Sequence, residues 1–247
     1  MNAPDAEHPA LHVSLRGAEV LRGVASYDDL GRSDRRALSE AGFVGADGSP
    51  TPAGRALRDD LVGAPVVLLY RLEPGVAGAR ARLHVGRRQL LAIGPPHDAS
   101  LDRRGAAPHV EALGGPPRTV DVLPADAVPI LLARWGRLEP SRETTHGPFG
   151  PYEVDAVMRR CLDPHEPAPE GLDADSAEMW RLPWRVWGAQ CDERNISLTF
   201  VDVPGHGPHV VRRRGDVLSL AARPSSLLWG DLQAVLQPLV YDHELTW

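Results

Sequence analysis

One pattern in this 247-residue chain occurs twice: short apolar strands around an arginine-rich turn, followed by a helix. The first copy runs from Ala81 to Ile93 about Arg87-Arg88, and an apolar helix is predicted over Leu123–Leu132. The second runs from His209 to Leu220 about Arg212-Arg213-Arg214, with a helix predicted over Ser225–Leu236. Two similar halves in one chain predict a pseudo-symmetric sheet with helices packed on it. The expected division is an N-terminal half at 1–138, a linker at 139–151 and a C-terminal half at 152–247, joined in one globular unit. No catalytic constellation interrupts either half, which points to a protein that binds another protein.

A chain of this length can bury a substantial core. An apolar content of 43% and a charged content of 24% are those of an ordinary globular protein. Every base is an arginine, which we attribute to codon bias and give no mechanistic weight. The net charge of −6 disfavours broad binding to a phosphate backbone, which draws on a basic surplus or stripe. The first residues, Met1 to Pro9, lack a basic and then apolar leader. No apolar run approaches the roughly 20 residues that span a bilayer. Cys161 and Cys191 are 30 residues apart without CxxC spacing; free thiols fit the expected cytoplasmic setting, while a disulfide is not decided by sequence.

The element order follows from caps and periodicity. Residues 1–10 carry no structural pattern, and Leu11–Val24 predicts a short strand or turn leading into a helix. Ser33–Ala41 predicts a helix with Ser33 as its cap and Gly42 beyond its end. Thr51 and Pro52 open a second helix to Leu61. Pro65–Leu72 is a near-continuous apolar run and so a buried strand, turning at Glu73–Gly78 into an antiparallel partner, Ala79–Val85. Gln89–Ile93 is a third strand, extended by His109–Leu113 and Arg118–Val122, before a closing helix over Asp126–Trp135. Glu139–Gly150 lacks periodicity and is taken as linker; Tyr152–Cys161 is a helix and Asp163–Gly171 an exposed loop. Asp173–Gln190 carries Trp180, Trp184 and Trp187 around Pro183, as a tryptophan-bearing helix. Ile196–Val203 begins the second sheet copy, and the last helix is capped by Ser225 or Ser226 and stopped near Pro238.

Several fragments resemble active chemistry and lack its partners. His206 and His209 form an HxxH pair in a hairpin without a third ligand. Asp242-His243-Glu244 stands alone near the end of the sequence, and Gly205-His206-Gly207 has neither the third glycine nor the helix of a dinucleotide site. No metal or cofactor is expected. The arginine turns have two readings, holding a carboxylate or phosphate through forked guanidinium geometry, or shielding sheet edges. The tryptophans likewise serve either core packing or as an exposed aromatic anchor.

Ala41–Leu57 resembles the wing region of winged-helix regulators, with a Gly-Phe-Val strand, a turn and a Thr-Pro-Ala-Gly helix start. Only some six residues separate Val44 from Thr51, and no basic recognition helix precedes them. A longer resemblance covers most of residues 30–238. Ser33–Gly42, the Asp47-Gly48 turn, Thr51–Leu61, the sheet from Pro65 to Ile93, Ile196–Asp202, His209–Arg214, Val217–Ala222 and Arg223–Leu236 together are similar to the EspG family. These are the cytosolic chaperones of actinobacterial type VII (ESX) secretion.

That resemblance implies an α+β fold: a pseudo-two-fold symmetric central antiparallel β-sheet flanked by helical bundles. It implies a non-catalytic adaptor that binds the apolar tip of a helical secretion substrate, PE/PPE- or WXG100-like, and keeps it soluble for export. The turn Glu73–Gly78 corresponds to a substrate-contacting loop in the family and is short here. Leu72, Val76 and Arg80, with Trp180, Trp184 and Trp187, are the candidate partner-binding residues. No nucleic acid and no membrane insertion are expected, and the chain is expected to be a monomer or weak dimer. Two other readings stay open. A winged-helix regulator would need a positive face around Arg35, Arg36, Arg55 and Arg58. An enzyme or small-ligand-binding domain would need a deep pocket with convergent polar groups.

Overall fold

The structure, a computed structural model, describes residues 11–73, 76–94, 118–136, 138 and 148–241. In chain order its elements are β1 (Leu11–Val13), α1 (Leu15–Leu21), α2 (Arg32–Glu40), α3 (Pro52–Leu61), β2 (Val66–Glu73), β3 (Val76–Val85), β4 (Gln89–Gly94), β5 (Arg118–Pro124) and α4 (Val128–Trp135). They continue with β6 (Phe149–Glu153), α5 (Val154–Leu162), α6 (Ala174–Arg181), β7 (Arg185–Cys191), β8 (Ile196–Val203), β9 (Gly207–Arg214), β10 (Val217–Ala222) and α7 (Ser225–Tyr241). The fold is α+β. Its strands form one large open sheet in the order β1-β5-β4-β3-β2-β7-β8-β9-β10-β6, and every described ladder is antiparallel.

The chain divides into two compact units. The first comprises Met1–Ala64, Ala81–Asp102 and His109–Ala125; the second comprises Pro65–Arg80, Arg103–Pro108 and Asp126–Trp247. The strand predicted over Pro65–Leu72 therefore belongs with the second unit.

In the first unit, α1, α2 and α3 cover one face of β1, β5 and β4. Leu21, Leu38, Leu57, Leu91, Ile93 and Val120 are its buried centre. Ser14 caps α1 by accepting from the Gly17 amide, and its own amide donates to the buried Asp34 carboxylate at 2.9 Å. Gly31, not Ser33, is the N-cap of α2, and no side chain bonds the helix start there. Gly42 does sit beyond its end in the left-handed region, at φ 78°. Thr51 caps α3 as expected, accepting from the Gly54 amide at 3.1 Å, with Pro52 in the first turn. A Cβ on Gly54 would stand 2.2 Å from the Phe43 carbonyl oxygen, so only glycine lets α3 approach this closely.

The turn between β3 and β4 is fixed by α3. One oxygen of Asp60 accepts from the Arg88 amide at 3.1 Å and the Gln89 amide at 2.8 Å, leaving the Arg87 and Arg88 side chains exposed. His84 of β3 lies directly across from Leu91 and is buried. Its Nε2 has no hydrogen-bond partner among the described residues. Burial and the charges of Arg22 and Arg82 push its pKa down to about 3.

In the second unit, α5 and α6 lie over a cluster containing Tyr152, Val157, Met179, Trp180, Trp184, Val186 and Val201. At the centre of its sheet, Tyr70 of β2 is paired with Gly188 of β7, which is paired with Thr199 of β8. The Tyr70 ring crosses over Gly188, and its hydroxyl reaches Thr199 Oγ1 at 2.5 Å. A side chain at Gly188 would fill that path, since its Cβ would lie 2.4 Å from the Tyr70 oxygen. Helices α4 and α7 pack against each other, and α4 also packs on β2.

Three expectations need correction here. Phe149 and Gly150 belong to a strand, β6, paired with β10, rather than to a linker. The tryptophan-bearing stretch is not one helix: α6 ends at Arg181, Pro183 follows, and Arg185–Cys191 is β7. Helix α7 continues past Pro238 to Tyr241, so the helix break expected at this proline comes only three residues after it. Residues 1–10, 139–147, His109–Leu113 and Asp242–Glu244, read above as unpatterned, linker, strand and a lone triad, lie outside the described residues.

Candidate protein-binding surface

The predicted partner-binding residues separate into two groups. Leu72 and Val76 stand at the facing ends of β2 and β3, with Arg80 farther along β3. Leu72 is half-buried against the Tyr152 cluster, Arg80 is exposed, and the Val76 side chain lies outside those described. The three tryptophans are core residues. Trp180 and Trp184 pack edge to face at 5.3 Å and both adjoin the Tyr152 ring, at 5.2 and 5.9 Å. Their indole nitrogens are used internally: Trp180 Nε1 donates to the Glu166 carbonyl and Trp184 Nε1 to that of Met179, each at 2.9 Å. Trp187 stacks on Phe200 at 4.5 Å, and a Cβ on Gly136 would come within 2.6 Å of its ring. None offers a face to a partner, so the anchor reading is withdrawn for all three.

Arg160 explains how this cluster tolerates a buried charge. Its Nε donates to the Trp180 carbonyl at 3.1 Å and its Nη2 to the Leu182 carbonyl at 2.7 Å. The guanidinium also lies over the Trp184 ring, 5.5 Å from its centre. It thereby satisfies carbonyls that the end of α6 leaves open.

The exposed apolar side chains are elsewhere. Met158 and Leu162 are 57% and 80% exposed, one turn apart on α5. Ile130 on α4 and Leu227 on α7 are each 50% exposed, on two helices that touch. The sequence contained a signal for α5: Val154, Val157, Met158, Cys161 and Leu162 make an apolar stripe wider than one packed face requires. For α4 and α7 no such excess marks which apolar residue stays outside.

Among the described residues no group of three or more His, Cys, Asp or Glu side chains could hold a metal ion. His209 of the HxxH pair is buried, with Nδ1 3.0 Å from the Gly207 carbonyl and its ring against Phe149. Burial lowers its pKa. The thiols of Cys161 and Cys191 are free, and burial raises both pKa values, which disfavours the reactive thiolate. Burial also raises the Tyr70 and Tyr152 phenols. The Tyr152 hydroxyl donates to the Ser176 carbonyl at 3.0 Å. The segment that resembled a wing closes through a single bridge, Val44 to Pro50, and forms no two-stranded wing. No described helix is long and apolar enough to cross a membrane. No protein-family model matches the chain, and no curated protein matches it significantly.

Proposed function

We propose that this chain is a non-catalytic cytoplasmic adaptor of the EspG type, which covers the apolar tip of a helical type VII secretion substrate before export. The observation that carries the reading is the strand order. From one edge to the centre it runs β1-β5-β4-β3-β2, and from the other edge β6-β10-β9-β8-β7. Each half thus uses its strands in the same chain sequence, as the pseudo-two-fold EspG fold requires. This correspondence matches β9, β10 and α7 with β4, β5 and α4. On this reading the first copy of the arginine-turn motif, on β3 and β4, corresponds to β8 and β9, one strand from the second copy on β9 and β10.

On this reading the equivalent helices α4 and α7, with exposed Ile130 and Leu227, and the β2–β3 hairpin with Arg80 form the surface for cargo. An exposed apolar helix tip in the cargo would otherwise aggregate, and a helix pair beside a sheet can bury it. The test is co-expression with a PE–PPE pair or WXG100-like protein encoded beside this chain's gene, followed by gel filtration in high salt. A stoichiometric, salt-resistant complex weakened by Val76→Asp and Arg80→Glu is the expected result. A complex that both variants leave unchanged removes the hairpin from the site. Absence of any complex, with salt-sensitive DNA binding instead, replaces the adaptor with the regulator reading.

A further inference from the structure

The sheet of the second unit parts between two of its inner strands. Strands β8 and β9 pair from Val203 and Gly207 as far as Phe200 and Val210, and there the ladder ends. Both strands run on for four more residues, Ile196–Thr199 on β8 and Val211–Arg214 on β9. Each keeps its other neighbour over that length, β7 for Ile196–Thr199 and β10 for Val211–Arg214. The result is a fork: two strand edges face each other, and among the described residues no strand pairs with either.

Main-chain direction decides which groups line the fork. The Arg223 amide donates to the Pro208 carbonyl at 2.9 Å, on the β10 side. These groups alternate in direction along a strand, so those of Val210, Arg212 and Arg214 also point to β10, and those of Val211 and Arg213 point into the fork. Val201 and Val203 pair with His209 and Gly207, so on β8 the same alternation aims the groups of Ser197 and Thr199 at the opposite arm. Both arms are held in place. Gly215 takes φ 64° in the β9–β10 turn, Arg213 Nε donates to its carbonyl at 3.0 Å, and the Val154 amide donates to the Asp216 carbonyl at 3.0 Å. On the β8 arm the Thr199 hydroxyl is bonded to that of Tyr70.

The side chains beside this edge are basic. Arg212 and Arg214 share one face of β9 with Ser219 and Val217, their partners on β10. Both are exposed, and among the described residues neither bonds a carboxylate or a main-chain oxygen. The acids just before β8 are engaged elsewhere: Asp192 accepts from Gln190 Nε2 at 2.6 Å and Glu193 from the Cys191 thiol at 3.4 Å. The hairpin 207–222 holds three arginines against one acid, Asp216, in a chain of net charge −6.

We propose that the β8–β9 fork binds an extended acidic peptide, which pairs its main chain with the free edge of β9 at Val211–Arg213 and sets alternate carboxylates against Arg212 and Arg214. A strand added there brings its side chains about 5 Å from those of β9, within reach of a guanidinium fork. The intervening positions fall on the other face beside half-buried Val211, which suits apolar residues. Strand addition draws affinity from the main chain and selectivity from alternate side chains. A second copy of this chain fits worse, because it would set arginines against arginines. The inference does not rest on the adaptor reading.

The test is titration of the full chain into a fluorescent peptide alternating glutamate and valine, followed by anisotropy at fixed ionic strength. Saturable binding is expected. Replacing the glutamates by glutamine should weaken it about tenfold or more, and so should Arg212→Gln combined with Arg214→Gln. N-methylation of the peptide amides keeps the charge, removes the main-chain donors and should weaken binding by a similar factor. Arg87→Gln, at the exposed arginine turn of the other unit, should bind as the wild type does. Hydrogen exchange at the Ser197 and Arg213 amides should slow when the acidic peptide is bound, a readout that needs no variant. No saturable binding, full-strength binding by the glutamine or the N-methylated peptide, or unchanged exchange at both amides overturns the proposal. A dimer of the chain alone, seen by sedimentation and lost in the double variant, would put a second copy in the fork and overturn it as well.

Discussion

Lowering the pH should weaken this protein through one side chain in particular, His84. In the folded chain its imidazole is buried and faces the positive charges of Arg22 and Arg82, so its pKa falls to about 3. In the unfolded chain it titrates near 6.5. Above that value the ring is neutral in both states and contributes no pH dependence. Below it, the unfolded chain takes up a proton that the folded chain refuses, so stability falls with falling pH, by about 1.4 kcal/mol per unit, until roughly pH 3. Between neutrality and about pH 5 the loss is about 2 kcal/mol, a large part of the roughly 5–15 kcal/mol that holds a domain together. Urea unfolding near pH 7 and near pH 5, at one ionic strength, measures it. His84→Gln should lose about 2 kcal/mol less than the wild type over that interval. His209, whose pKa burial also lowers, is present in both proteins and cancels from the comparison. Equal losses in wild type and variant would refute the reasoning, because the ring would then be gaining its proton in the folded state.

Three other substitutions probe the packing that places the proposed surfaces. Gly188→Ala would put a Cβ 2.1 Å from the Leu198 carbonyl oxygen and 2.4 Å from the Tyr70 hydroxyl. It should cost about 3 kcal/mol or more, read as a lowered melting temperature; an unchanged value would mean that the sheet centre yields easily. Arg160→Met leaves the Trp180 and Leu182 carbonyls without their donors and should cost about 2 kcal/mol in urea unfolding followed by tryptophan fluorescence. Asp60→Ala should cost about 2 kcal/mol and speed hydrogen exchange at the Arg88 and Gln89 amides. Asp60→Asn, which retains an acceptor oxygen, should recover most of that loss, and equal effects from the two variants would count against the bond.

What could be read from the sequence was local. Thr51-Pro52 is legible because a cap and its helix are neighbours, and β2 is legible because an apolar run bounded by turns has few other uses. Ser33 misled because a good capping residue one step inside a helix leaves the same trace as one at its end; Gly31, with no side chain to signal it, is the actual boundary. The strand β6 was missed because Phe149-Gly150-Pro151-Tyr152-Glu153 carries both strand breakers, and only its pairing with β10 makes it a strand.

The candidate site was harder for a stricter reason. Whether a tryptophan anchors a partner or fills a core depends on what lies across from it, and that is set by residues far along the chain. Trp187 is internal because Phe200 stacks on it and Gly136 leaves room beside it. Trp184 is internal because Arg160 and Tyr152 enclose it.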